Sequence, residues 1–269
     1  MKKEEIKQLE YKAKIIRNSI VDMLYNAKSG HPGGSLSIVE ILTVIYFKHM
    51  DLSLDKNGTR TDKFVLSKGH CVPALYATLA EKGYINKEDL VTLRKTDSYL
   101  EGHPSNKING IDVSSGSLGQ GISIASGLAL AKKLDKKEGY VYCILGDGEI
   151  EEGQVYEALM TISKYNLNNL ILIIDNNGYQ IDGSIKEVKN LTNIDKKIHS
   201  FGFNVLNVDG HNITKLDTAI NKAKTLTTPT CIICSTIKGK GISFMENNYK
   251  WHGKAMNKEE YNIAKKELI

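Results

Sequence analysis

The chain has 269 residues, 41% hydrophobic and 25% charged, a balance that excludes disordered and fibrous classes and leaves one large globular domain as the expectation. Its net charge of +5 comes from interspersed acids and bases with no arginine-rich stripe, which argues against nucleic acid as a partner. No apolar run is long enough to span a bilayer, and the charged start Met1-Lys2-Lys3-Glu4-Glu5 has no signal-type apolar core, so a cytoplasmic protein without membrane contact is expected.

Residues 6–27 carry Ile6, Leu9, Ala13, Ile16, Ile20, Met23 and Leu24 at helical spacing. The loop Ser29-Gly30-His31-Pro32-Gly33-Gly34-Ser35 follows, and a second helix is expected over 36–48. A short strand at 64–66 leads into Ser67-Lys68-Gly69-His70 and a helix over 72–82. A helix over 87–95 precedes Glu101-Gly102-His103-Pro104. His31, His70 and His103 thus each follow a glycine at an element boundary, in a chain with only seven histidines. One such loop histidine reads as solvated, whereas three in rigid settings point to a polar pocket.

Gly116-Ser117-Leu118-Gly119-Gln120-Gly121 opens a helix over 122–134. Its spacing is not that of the dinucleotide fingerprint, no strand clearly precedes it, and no P-loop occurs anywhere in the chain. Its glycines serve either a flat ligand lying on the backbone or close helix packing.

The middle of the chain reads as strand–helix–strand. An apolar run at 140–145 ends at Gly146-Asp147-Gly148, a helix is expected over 149–165, and a second run at 170–174 ends at Asp175-Asn176-Asn177-Gly178. Both polar clusters then fall at the carboxyl ends of neighbouring parallel strands, where open α/β sheets bind ligands. Asp147 offers a carboxylate, Asn177 an amide oxygen and Tyr179 a backbone carbonyl, an all-oxygen set suited to Mg²⁺ or Ca²⁺ with phosphate. Gly148 lets an anion approach the start of the following helix.

Beyond this unit come a turn at 181–183, a helix over 193–201, a strand at 203–208, a helix over 214–226 and a strand at 230–236. Lys238-Gly239-Lys240-Gly241 reads as a flexible basic loop, followed by Trp251-His252-Gly253 and a last helix from Asn257. The repeated strand–loop–helix order predicts an α/β doubly wound, mostly parallel sheet with helices on both faces. Cys231 and Cys234 would face opposite sides of a strand, so with Cys71 and Cys143 they read as reduced core thiols.

Seven motifs in one order, SGHPGG, SKGH, EGHP, GSLGQG, GDGEIEEG, DNNGYQIDG and KGKG…WHGKA, make the whole chain resemble the amino-terminal half of transketolase. The resemblance implies a single diphosphate-binding domain over 1–269 that uses thiamine diphosphate. It implies that Asp147, Asn177 and the Tyr179 backbone hold Mg²⁺ or Ca²⁺. His70 and Gly148, with Asn177, would contact the diphosphate, and the backbone of Gly116, Ser117 and Leu118 the cofactor's rings. His31, His103 and His252 would line the substrate channel and move protons. Glu152 and Glu157 match positions at the family's subunit contact; acids favoured near a helix N-terminus explain them equally well.

Two departures stand out. Ser117 replaces a proline common in the family, and the pyrimidine-binding and carboxy-terminal domains, with the glutamate that activates the cofactor, are expected on a separate chain. The resemblance therefore implies the amino-terminal subunit of a split transketolase, in an α₂β₂ assembly, moving a two-carbon ketol unit between sugar phosphates. The alternatives are a subunit of another thiamine enzyme (2-oxoacid dehydrogenase α or deoxyxylulose phosphate synthase type) and a non-catalytic cofactor-binding partner.

Overall fold

Five short apolar runs become five parallel strands in a computed structural model that describes residues 1–56, 58–189 and 192–268. They are β1 (Lys63–Leu66), β2 (Val141–Gly146), β3 (Leu170–Asn176), β4 (Asn204–Asp209) and β5 (Thr230–Ser235), in the order β1-β2-β3-β5-β4. The central strands β2, β3 and β5 are buried on both faces and need no polar alternation, which is why they are almost wholly apolar, whereas the edge strand β4 is half-buried and carries Asn204, Asn207 and Asp209.

Side-chain alternation along these strands divides the core in two. Phe64, Tyr142, Ile144, Ile171, Ile173, Ile232 and Cys234 pack on one face, against α1 (Lys3–Ala27), α3 (Val39–Val44), α4 (Val72–Glu81) and α9 (Ile213–Thr225). Val65, Cys143, Leu145, Leu172, Ile174, Cys231 and Ile233 pack on the other, against α5 (Gln120–Leu134), α6 (Gly153–Lys164) and α8 (Ile194–Ser200). The doubly wound expectation holds, and Cys231 and Cys234 do face opposite sides. All four cysteines are free and buried.

Several helices differ from their expected form. The segment expected as one helix over 36–48 starts earlier, as α2 (Pro32–Ser37), because Pro32 is preset for a first helical turn. It breaks at Ile38, resumes as α3 and ends in a π-helical turn, Ile45–His49. The helix expected over 149–165 is a 3₁₀ turn at Glu149–Glu151, an extended Glu152, and then α6. The helix over 87–95 is a 3₁₀ segment, Lys87–Thr92. A short α7 (Ile185–Val188), capped by Ser184 and Glu187, was not foreseen, and α10 (Lys258–Glu267) is capped by Asn257. Among the described residues no helix is long and apolar enough to cross a membrane.

In-register parallel pairing sets the strand ends side by side, with Leu66 opposite Ile144, Gly146 opposite Asp175, and Asn176 opposite Ser235. The segments following β1, β2, β3 and β5 therefore all emerge at one edge of the sheet.

Candidate active site

At that edge a cavity of about 450 Å³ is lined by His31, His70, His252, Leu118, Asp147, Gly148, Asn177 and Tyr179. These are most of the residues singled out in the sequence. His103, Gly116 and Ser117 do not line it; His103 packs on Gly116, 3.4 Å from where a Cβ would stand. A larger groove, about 650 Å³, runs along β4 and α9 but gathers no comparable set of groups.

Three imidazoles form a triangle, with ring centroids 5.1 Å apart for His31–His70, 5.3 Å for His31–His252 and 5.1 Å for His70–His252. Burial, with the positive charge of neighbouring groups, pushes His31 down to about 4 and His252 to about 3. Burial also holds His70 well below the ordinary value and lowers His103. All four rings are therefore neutral near pH 7, so each can donate from one nitrogen and accept at the other.

Asp147 is 2% exposed and takes N–H bonds from Gly148 at 2.9 Å and Gly178 at 2.5 Å. Burial, with the nearby Asp175 charge, pushes its carboxyl up to about 7. Gly148 does not open an α-helix as expected. Its N–H is taken by Asp147 and a 3₁₀ turn follows, because Glu149 turns inward rather than along a helix. Asn177 donates to Asp175 Oδ2 at 2.8 Å, which fixes the amide so that its Oδ1 accepts from Tyr179 N–H, at 3.1 Å. The Tyr179 carbonyl accepts from Lys238 Nζ at 3.3 Å.

The donor set fits a hard cation and an anion together. Asp147, Asn177 and the Tyr179 carbonyl offer only oxygen, the ligand type a hard cation takes. His31 Nδ1 and Glu151 Oε1, both of lining residues, are buried without a hydrogen-bond partner, so the cavity wall is built to meet a polar ligand.

Sequence reasoning missed four groups, Lys68, Glu149 and Lys238 in this wall and Asp175 behind it. Asp175, fully buried, accepts from Lys68 Nζ at 2.5 Å, from Ser37 Oγ at 2.7 Å and from Thr236. Burial works against both charges of the Lys68–Asp175 pair, yet their attraction prevails: the lysine is raised and the aspartate lowered. Glu149 accepts from Ser67 Oγ, from Gly119 N–H at 2.9 Å and from Gly146 N–H at 3.1 Å, tying the GSLGQG loop to the end of β2.

Lys238, expected in a flexible basic loop, is instead 2% exposed and lies 3.1 Å from His252 Nδ1. Its stem threads past Gly33, where a Cβ would stand 2.9 Å from Lys238 Cγ. Each of these residues lies inside or beside a motif, so position was the only signal in the sequence.

Comparison with known proteins identifies the family and the fold. The family described as transketolase, thiamine diphosphate binding domain, matches residues 9–268. One subunit of the apulose-4-phosphate transketolase of Phocaeicola vulgatus is 41% identical over 266 residues, covering 98% of this chain and 95% of that protein. One subunit of the 6-deoxy-6-sulfo-D-fructose transketolase of a Clostridium species is 41% identical over 97% of this chain and 96% of its own length. The crystal structure of transketolase from Campylobacter jejuni superposes with a TM-score of 0.91 at 33% identity; it covers 98% of this chain, which spans only 43% of that enzyme. The chain belongs to the transketolase family, as a transketolase-type transferase subunit built from the thiamine diphosphate-binding domain.

Proposed function

We propose that this chain is the amino-terminal subunit of a split transketolase, moving a two-carbon ketol unit from an anionic ketose to an aldose phosphate. The observation that carries the reading is the convergence of three neutral imidazoles with Asp147 and Asn177 in one cavity. Asp147, Asn177 and the Tyr179 carbonyl would hold Mg²⁺ or Ca²⁺, and His70, Gly148 and the Lys238 ammonium would face the diphosphate. Bound there, thiamine diphosphate supplies the carbanion chemistry of the transfer.

The chain's own residues bind and orient the substrate. Neutral His31 and His252 can each donate a hydrogen bond from one ring nitrogen to a sugar hydroxyl or carbonyl oxygen and accept one at the other, which orients the sugar. His103, outside the cavity wall, would act toward the channel mouth, and the backbone of Gly116, Ser117 and Leu118 would border the cofactor's rings. Two near-full-length relatives carry names with ketose substrates that bear an anionic group, apulose 4-phosphate and 6-deoxy-6-sulfofructose, which supports an anionic donor here.

Residues 1–269 would form one diphosphate-binding domain. A separate polypeptide would bring the pyrimidine-binding domain and the activating glutamate in an α₂β₂ assembly, with Glu152 and Glu157 near the contact. The buried free thiols fit a reducing cytoplasm. Incubating the chain and its partner subunit with thiamine diphosphate, Mg²⁺, ribose 5-phosphate and either a ketose phosphate, a sulfoketose or pyruvate tests the assignment. Transfer from a ketose supports it; turnover of pyruvate alone contradicts it.

A further inference from the structure

The backbone around Lys238 is gripped from behind by a buried charged network that reaches the cavity through that lysine. Arg17 of α1 pairs with Glu40 of α3, Nη2 lying 2.6 Å from Oε1, and its Nε donates to the Lys240 carbonyl at 3.0 Å. The ring of His211, in the turn after β4, bridges Glu40 and the loop. Its Nδ1 lies 2.9 Å from Glu40 Oε2, while its Nε2 accepts from Ile237 N–H at 2.8 Å. Because Nε2 accepts, the proton sits on Nδ1 and is donated to Glu40, so the network fixes the tautomer. Burial favours a neutral Glu40, but Arg17 and His211 outweigh it and hold the carboxyl below its ordinary value.

Two anchors thus flank Lys238, one on the residue before it and one two residues after it, and a third bond ties Gly239 N–H to the Gly33 carbonyl at 2.9 Å. The Lys238 ammonium in turn contacts the Tyr179 carbonyl and His252 Nδ1, so slack in this stretch of backbone would draw it away from both.

We propose that Arg17, Glu40 and His211 form a positioning clamp that holds the 237–240 backbone so that the Lys238 ammonium is aimed into the diphosphate end of the cavity. The clamp rests on the reading that a diphosphate binds there. The bonds of His211 run to Glu40 and the Ile237 backbone, so it acts on the ligand through the loop.

Amide side chains separate the two bonds of His211. An Asn amide nitrogen can stand where Nδ1 stands and keep the bond to Glu40, whereas a Gln amide oxygen can stand where Nε2 stands and keep the bond to Ile237. In the full chain with its partner subunit, the affinity for thiamine diphosphate with Mg²⁺ can be read from Trp251, the chain's one tryptophan, beside His252. His211→Asn is expected to weaken binding about tenfold, equivalent to about 1.4 kcal/mol, with His211→Gln close to the unaltered chain. In a Lys238→Ala background His211→Asn should change affinity less than about twofold, since there is no ammonium left to position.

Equal loss with and without Lys238, or no loss in His211→Asn, overturns the clamp. Amide hydrogen exchange on the chain alone provides a readout independent of cofactor. Faster exchange at 237–240 in His211→Asn but not in His211→Gln is expected, and unchanged exchange in both overturns the clamp even if cofactor binds. If His211→Asn does not fold, Arg17→Met, which frees the Lys240 carbonyl, takes its place with the same two expectations. An unaltered chain that binds no cofactor while exchange follows expectation sinks the functional reading and leaves the loop anchors standing.

Discussion

Asp175 makes its hydrogen bonds at zero exposure, and its partner Lys68 is 2% exposed, so each charge depends on the other. Replacing Asp175 with Asn strands a buried ammonium and releases the Asn177 amide, at a cost of about 3–5 kcal/mol. Thermal unfolding of Asp175→Asn should show a large drop in Tm; a Tm within about 2 °C, the scale of a sub-kcal/mol change, would contradict the pairing. At Asp147 the expected effect is on binding rather than folding. Asp147→Asn keeps the size, removes the charge and gives up one of the two backbone N–H bonds, and should weaken Mg²⁺-dependent cofactor binding at least about 100-fold, by titration, with the circular dichroism unchanged. Undiminished binding would remove Asp147 from the site.

At this scale the gathering of His31, His70, Asp147 and Asn177 in one cavity was legible because unusual residue types recur at glycine-marked boundaries, whereas His103, read by the same signal, lies off the cavity wall and His252 was marked only by the resemblance. Lys68 and Lys238 were not, because a lysine reads as solvated until its partner is known. Asp175 stands 107 positions from Lys68, and nothing local announces it.

At the scale of elements, the strands were legible for a physical reason: a parallel strand covered on both faces can be almost wholly apolar and short. The helices near the site were less so. The 32–49 segment breaks where Ser37 reaches Asp175 at 2.7 Å, and the 149–152 segment breaks where Glu149 turns inward to Ser67 and Gly119. Tertiary bonds overrode helical periodicity in both. The glycines of GSLGQG, open between ligand contact and helix packing in the sequence, include one clear packing case. A Cβ on Gly121 would stand 2.6 Å from the Ser67 Cα, so α5 lies directly on the chain leaving β1. Gly121→Ala should cost about 1–3 kcal/mol by denaturant unfolding, since backbone must shift; a neutral variant would show that α5 can move away freely.

For the molecule as a whole, several buried histidines make the fold sensitive to acid. His31 and His49 are lowered to about 4 and His252 to about 3, chiefly by burial, so the unfolded chain takes up these protons first. Their contribution is complete above about pH 6.5 and is lost as pH falls through about 4. Asp147, raised from 3.8 to about 7, and Asp62 and Glu149, also raised by burial, work the other way, losing their contribution as pH rises, but the five lowered histidines outnumber them. Tm should therefore fall steadily from about pH 6.5 to about pH 4; a flat profile would mean these rings are solvated and ordinary.

The doubly wound sheet and the gathering of motifs at one sheet edge belong to a chain that matches transketolase subunits along nearly their whole length. The most direct test is ketol transfer to ribose 5-phosphate with thiamine diphosphate and Mg²⁺, from xylulose 5-phosphate and from a sulfoketose, measured for the chain alone and for its mixture with the partner subunit. The account predicts activity only in the mixture, abolished by Asp147→Asn. Activity from this chain alone would contradict it, because the group that activates the cofactor would then have to lie among these 269 residues.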